Sequence, residues 1–309
     1  MRIAVMGAGG TGGYFGAILA RAGEDVTLIA RGAHLEAICT QGLTVKSRLA
    51  GDFTLPVKAT GDPGEVGPVE LVLFCVKAYD TPTAAQQIRP LVGQDTVILS
   101  VQNGIDNAEQ IGRVVGRESV IGAVAYVSSV IEAPGIIAQR AGPGKIVFGE
   151  LAGGTSPRTE RLQSTFQRAG IVAELSPDMP ITLWDKFLFI CAINGITALT
   201  RLPIGPTLAC PETSALYRGT MEEVEAVARA SGITLPDECV DKAFAFTTRL
   251  ESSMRGSMYY DLAAGRRMEL EALNGTAVRL GHERGIPTPL NFAIYAALKP
   301  FADGAPTLP

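Results

Sequence analysis

Histidine is almost missing from this 309-residue chain, which has only His34 and His282. The five cysteines, Cys39, Cys75, Cys191, Cys210 and Cys239, are scattered, and none stands in a CxxC spacing. Metal sites of the zinc type need Cys and His at short spacings, so no metal is expected. Four of the cysteines lie among apolar or small neighbours, which fits buried, reduced thiols better than a disulfide framework. An excess of one charge sign is lacking too, with 27 Lys+Arg against 31 Asp+Glu and a net charge of −4. That balance gives no electrostatic reason to expect nucleic acid or an anionic membrane surface as a partner. Long apolar runs are missing as well. The opening MRIAVMGAGG is broken by glycine before it could serve as a signal peptide. The longest apolar segment elsewhere, Phe187 to Ile193, is bracketed by Lys186 and Asn194 and is far short of the ~20 residues that span a bilayer. A soluble, cytoplasmic protein is expected, without internal repeats or low-complexity tracts.

What is present is core material. Hydrophobic residues make up 47% and charged residues 19%, which excludes a mainly disordered chain. The length favours two domains. In the first half, short apolar strands alternate with helical stretches: Arg2–Met6, a helix to about Ala22, then Asp25–Ala30. Leu43–Arg48 and Phe53–Lys58 read as β-rich pieces, and a helix is expected over Thr81–Leu91. Glu70–Val76 and Thr96–Val101 have the continuous apolar character of strands buried on both faces of a parallel sheet. Turn signals at Pro134-Gly135 and Gly142-Pro143-Gly144 divide further strands, and Arg158–Ala169 and Ile171–Leu175 add a helix and a strand. Ser176–Pro180, with two prolines, reads as a linker. Beyond it only helical patterns appear: Leu183–Leu199, Ser214–Ser231, Pro236–Arg255, Ser257–Ala264, Glu269–Arg284 and Pro289–Pro300. Gly232, Gly265 and Gly285 stand where C-terminal caps belong. The expected fold is an α/β Rossmann-type domain over residues 1–177 followed by an all-α domain over residues 178–309.

The junction of the first strand and helix reads Gly7-Ala8-Gly9-Gly10-Thr11-Gly12. Gly7 suits the tight turn out of the strand, Gly9 lets the backbone approach a pyrophosphate, and Gly12 allows close helix–sheet packing. The helix N-terminus then offers free N–H groups to the phosphates. A bare GxGxxG means little in a chain with 35 glycines, but here it stands inside a βαβ unit at the right spacing. Where NAD-binding proteins usually place Asp or Glu, at the end of the second strand, this chain has Arg31. A guanidinium there suits the 2′-phosphate of NADPH/NADP+, the alternative being a solvated surface arginine.

With these features, and with Val76-Lys77-Ala78, Gln102-Asn103-Gly104, Trp184-Asp185-Lys186, Asn194, Ser257-Met258-Tyr259-Tyr260-Asp261, Gly265-Arg266-Arg267-Met268-Glu269 and Asn274-Gly275, the chain resembles the ketopantoate reductase family over nearly its whole length. The resemblance implies NADPH-dependent reduction of the ketone of 2-dehydropantoate to (R)-pantoate, a step in pantothenate biosynthesis, in a cleft between the two domains. The small-molecule substrate is then a 2-oxo acid. A homodimer is compatible with the sequence.

Hydride delivery to a ketone builds negative charge on oxygen, so a placed acid must donate a proton. Neither histidine lies near a motif. Lys186, at the start of a strongly apolar helix, suits the role, because partial burial would depress its pKa. A lysine snorkelling from a helix end is the alternative. The resemblance assigns Lys186 the same general-acid role and makes Glu269, at the start of a helix, its carboxylate partner or a ligand of the cofactor ribose. Without it, Glu269 could serve the helix dipole alone. It implies that Asn194 and Ser257 bind substrate, although Asn194 could equally cap a helix break before Gly195. Ser252-Ser253-Met254 mimics the serine motif locally, but the spacing to Asp261 and Glu269 selects Ser257, with Gly256 in place of the usual first serine. Lys77 and Asn103 follow apolar strands at the carboxyl edge of the sheet and are implied cofactor contacts, Asn103 also touching substrate. Many family members carry asparagine four residues after the lysine. This chain has Ile190, which leaves open another branched 2-oxo or 3-hydroxy acid as substrate. A non-catalytic NADPH-binding sensor is the remaining alternative.

Overall fold

The computed structural model describes residues 1–306. It forms two compact units: Met1–Gln102 with Asp106–Met179, and Asn103–Ile105 with the chain from Pro180 onward. In chain order the first unit contains β1 (Arg2–Met6), α1 (Gly10–Arg21), β2 (Asp25–Ile29), α2 (Gly32–Gln41), β3 (Leu43–Ser47), β4 (Phe53–Leu55) and β5 (Lys58–Thr60). There follow β6 (Val69–Phe74), α3 (Thr81–Gln87), β7 (Val92–Ser100), α4 (Asn107–Val115), β8 (Val120–Ala133), β9 (Ile136–Gly149), α5 (Pro157–Arg168) and β10 (Val172–Leu175).

These strands make one ten-stranded sheet in the order β4-β3-β9-β8-β7-β6-β1-β2-β5, with β10 beside β9. From β5 through β2, β1, β6 and β7 to β8 every pairing is parallel. This is the Rossmann arrangement, and its order reverses between β1 and β6, the place where open α/β sheets bind ligands. The continuous apolar runs have a direct cause. On β6, Leu71 and Leu73 enter the core on one face of the sheet, while Val72 and Phe74 enter the core on the other. The sheet is mixed rather than purely parallel, because β8 and β9 form a long antiparallel hairpin and β3 pairs antiparallel with β4.

The second unit is helical: α6 (Met179–Thr200), α7 (Ile204–Ala209), α8 (Pro211–Ala230), α9 (Cys239–Thr247), α10 (Ser257–Ala263), α11 (Thr276–Arg284) and α12 (Pro289–Leu298). Its core is built around α6, whose Phe187, Leu188, Cys191 and Ile196 are buried together with Tyr217, Met221 and Val224 of α8.

Several expectations need correction. The segment Ser176–Pro180 is not all linker, since α6 begins at Met179 and holds Pro180 in its first turn, where a missing N–H costs nothing. The apolar run Phe187–Ile193 is part of this 22-residue helix, long and apolar enough to cross a membrane by length and composition, and 67% of its apolar window is buried inside the protein. The helix expected over Pro236–Arg255 is confined to Cys239–Thr247. Glu269 precedes a single π-helical turn, Glu271–Gly275, instead of opening an α-helix. Among the cysteines only Cys191 and Cys239 are fully buried; Cys75 is half-buried, and Cys39 and Cys210 are exposed. Gly232, Gly265 and Gly285 all take positive φ at helix ends.

Candidate active site

The turn after β1 is held by its own backbone. The amides of Gly7 and Ala8 both donate to the carbonyl of Ile29 at the end of β2, at 3.2 and 3.0 Å. Gly7 has φ +94°, and a Cβ there would lie 2.9 Å from the Val76 nitrogen. No other residue fits that turn. A Cβ on Gly12 would stand 2.2 Å from the Gly7 carbonyl oxygen and 2.9 Å from Cys75 Cβ, so this glycine brings α1 onto the sheet. Gly10, expected with the rest of the loop to contact the cofactor, is the most confined of all: its Cβ would lie 2.0 Å from the Ser129 carbonyl oxygen on β8.

Gly9 is the exception. A Cβ there would meet nothing within 4 Å, although the backbone is extended and would tolerate any residue. A glycine kept against open space fits a position where a ligand's backbone approach is needed. Helix α1 behind it, beginning Gly10-Thr11-Gly12, has no side-chain cap and no acidic residue in its first turn. Such an N-terminus suits a pyrophosphate, so the loop fits a dinucleotide.

Arg31 stands at the N-cap of α2, directly beyond β2, with its side chain 91% exposed and a contact of 3.2 Å to Asp80. The sequence did not point to Asp80, which belongs to the short turn following Lys77. Lys77 is the N-cap of that turn at the end of β6. Gln102 is buried and joins the loops after β6 and β7, its Nε2 donating to the Val76 carbonyl at 2.9 Å and to Thr81 at 2.7 Å. Asn103 follows it and groups with the helical unit.

His34 contradicts the expectation that neither histidine lies near a motif. Its Nε2 is 2.9 Å from the Ala8 carbonyl, and its Nδ1 accepts from the Gly135 amide at 3.0 Å. The signal was topological: α2 starts at the carboxyl end of β2, the strand beside β1, so its first turn lies next to the loop after β1.

In the helical unit, Lys186 sits half-buried in the second turn of α6. Burial pulls its pKa down to about 8, and the opposite charge of Glu269 pulls it back up. Glu269 itself is buried, at 6% exposure, so its carboxylate is shielded from water. Two turns further along α6, Asn194 is fully buried. Its Oδ1 accepts from Ser257 Oγ at 3.1 Å and from the Met258 amide at 2.9 Å, while its Nδ2 donates to the Ile190 carbonyl at 2.9 Å. Asn194 therefore caps α10 from outside and orients Ser257 in one arrangement. Gly256 is required beside it, because a Cβ would lie 2.6 Å from Asn194 Cα. Ser252, the sequence mimic, packs against Gly205 instead. Ile190, one turn after Lys186, is partly buried against the helical core.

Known proteins share this chain at both levels. Residues 3–153 match the family described as ketopantoate reductase PanE/ApbA, and residues 178–302 match its C-terminal domain. A 2-dehydropantoate 2-reductase of Mesorhizobium japonicum is 32% identical, covering 98% of each chain. The crystal structure of a PanE/ApbA family ketopantoate reductase from Ralstonia eutropha superimposes with a TM-score of 0.90 at 37% identity, covering 98% of each chain. D-mandelate dehydrogenase, solved with NADH and anilino(oxo)acetate, reaches the same TM-score at 23% identity and speaks for the fold alone. The chain thus belongs to the ketopantoate reductase PanE/ApbA family and is an NAD(P)H-dependent oxidoreductase.

Proposed function

We propose that the protein reduces 2-dehydropantoate to (R)-pantoate with NADPH, as a cytoplasmic enzyme of pantothenate biosynthesis. The observation that carries the proposal is the helical-unit placement of a half-buried Lys186 acted on by the charge of a buried Glu269, with Asn194 two turns further along α6 and Ser257 of α10 hydrogen-bonded to that asparagine. The nicotinamide, when bound, supplies the hydride. Lys186 donates the proton to the substrate oxygen as charge develops there, and a pKa of about 8 keeps it mostly protonated at neutral pH yet able to release the proton. Glu269 restrains the ammonium and keeps it charged. Ser257 spends its hydrogen on Asn194 Oδ1, which leaves its oxygen lone pairs to accept from a substrate hydroxyl. Gly7, Ala8, Gly9, Gly10, Thr11 and Gly12 cradle the pyrophosphate, Lys77 and Asn103 contact the nicotinamide end, and Arg31 selects the 2′-phosphate.

Purified protein with NADPH and a panel of 2-oxo acids tests this directly. Ketopantoate should give the highest kcat/KM, and Lys186→Ala should cut turnover by ~10²-fold or more with NADPH affinity largely kept. A second reading rests on Ile190, whose apolar side chain at this point of α6 favours a different branched 2-oxo or 3-hydroxy acid. Inactivity toward ketopantoate with turnover of another acid would establish that reading. An unchanged rate in Lys186→Ala would point to a cofactor-binding sensor. Light scattering decides whether the chain is a homodimer.

A further inference from the structure

We propose that His34 is a positioning residue for the dinucleotide loop, a clasp that closes only when its imidazole is neutral. The inference rests on the assignment of Gly7–Gly12 as the cofactor loop. His34 lies at the third position of α2 and makes two contacts of opposite polarity. The Gly135 amide can only donate, so Nδ1 must carry a lone pair and the ring proton must be on Nε2, which then donates to the Ala8 carbonyl. One side chain thus ties the loop to the Pro134-Gly135 turn between β8 and β9.

The rest of the neighbourhood makes that tie consequential. The Gly135 carbonyl accepts from the Thr44 amide at 2.9 Å, and a Cβ on Gly135 would stand 3.0 Å from Ala37 Cβ, so the turn is seated on both β3 and α2. The same hairpin covers Gly10 through Ser129 and Gly13 through Ile137. Gly7 and Ala8 are held from below by Ile29, and Gly10 and Gly13 from the side by the hairpin. The Ala8 peptide between them is fixed by His34. Its orientation sets that of the Gly9 amide, which belongs to the same peptide unit and is aimed oppositely to the Ala8 carbonyl. A carbonyl drawn to His34 therefore turns the Gly9 N–H away from His34 and presents it to a ligand.

Protonation of His34 removes the Nδ1 lone pair and sets an N–H against the Gly135 N–H, so the clasp opens. Burial lowers the imidazole pKa from its ordinary value, with the Ala8 carbonyl raising it in part. The charged groups on the surrounding elements are Arg31 and Glu36 on α2 and its cap, Arg21 on α1, Asp25 on β2, Lys46 on β3, Lys58 on β5, Glu132 on β8, and Arg140 and Lys145 on β9. Arg31 pairs with Asp80, Lys46 with Glu132 and Lys58 with Asp25. The Gly7–Gly12 loop and the Pro134-Gly135 turn carry no charge. Burial lowers the titration point of His34 and the Ala8 carbonyl raises it in part, while the Gly135 amide, which can donate only to the neutral ring, acts in the same direction as burial.

The test is NADPH binding, measured by nicotinamide fluorescence between pH 8 and 5.5, for wild type, His34→Ala, His34→Gln and Gly9→Ala. His34→Ala should weaken NADPH by about tenfold at pH 8, the loss of two placed hydrogen bonds, and raise KM for NADPH with little change in kcat. The Gln amide nitrogen can reach the Ala8 carbonyl in place of Nε2 but does not titrate, so His34→Gln should recover most of the affinity. Wild-type affinity should fall relative to His34→Gln as pH drops below the ordinary histidine range. Comparing the two proteins cancels the ionisation of the cofactor's own 2′-phosphate. Parallel pH curves for wild type and His34→Gln, or tighter relative binding by wild type at low pH, overturn the proposal, the latter marking His34⁺ as a phosphate ligand. If His34→Ala does not fold, the comparison with His34→Gln decides alone. Gly9→Ala separates the two levels: if it binds as well as wild type, the loop assignment fails, whereas weak binding by Gly9→Ala with unaffected His34 variants refutes only the clasp.

Discussion

Replacing Glu269 by Gln should move the alkaline limb of the reaction's pH profile toward acid. Lys186 has a pKa of about 8 as the balance of two opposed effects: burial, which is the larger and disfavours the ammonium, and Glu269, which favours it. A group with pKa about 8 is about nine-tenths protonated at pH 7 and about one-tenth at pH 9. With Lys186 as proton donor, kcat/KM should therefore decline through a midpoint near pH 8. Glutamine keeps the size of Glu269 and one acceptor oxygen, and replaces the charged carboxylate with a neutral amide. An opposite charge at close range is worth about one pK unit or more, so the midpoint should drop by at least about one unit. The loss at pH 8 would then be about fivefold, against about twofold at pH 7. The assay is the loss of nicotinamide absorbance with saturating cofactor from pH 6 to 10. An alkaline limb that stays in place, or moves upward, would show that Glu269 does not tune the proton donor.

The same burial makes a stability prediction. A lysine whose folded pKa lies below its unfolded value binds fewer protons when folded, so stability rises with pH between about 8 and 10.5, and the full cost of burying the charge, about 3 kcal/mol, applies below pH 8. Lys186→Met with Glu269→Gln removes both charges, and calorimetry at pH 7 should find the inactive double variant at least as stable as wild type, by up to a few kcal/mol. The glycine loop should respond oppositely at neighbouring positions. Gly9→Ala should keep its Tm and lose NADPH affinity, whereas Gly10→Ala, forced against the Ser129 carbonyl, should lose Tm by several degrees. At the adenosine end, Arg31→Asp should weaken NADPH much more than NADH, and Asp80→Asn should improve NADPH several-fold by releasing Arg31 from its pair and removing a like charge from the 2′-phosphate. Titration of both variants with both cofactors checks this.

The sequence by itself determined the parallel α/β core, because runs such as Glu70–Val76 are apolar on both faces and only a doubly covered sheet hides them. It located the glycine loop and Arg31 within one βαβ unit, where spacing along the chain fixes spacing in space. It also separated the sheet-forming half from the helical half by the change in apolar period. Tertiary structure decided what depends on partners distant in sequence. The confinement of Gly10 comes from Ser129, more than a hundred residues away. The two hydrogen bonds of His34 go to Ala8 and Gly135, and nothing in the local sequence GAHLEA announces either. Asn194 caps α10 across 63 residues and so fixes which way Ser257 presents its oxygen. Local periodicity encodes which face of an element is buried, but the atom a polar group meets is set by packing between elements. The loop residues were therefore legible in the sequence, and the contacts that hold the loop in place were not.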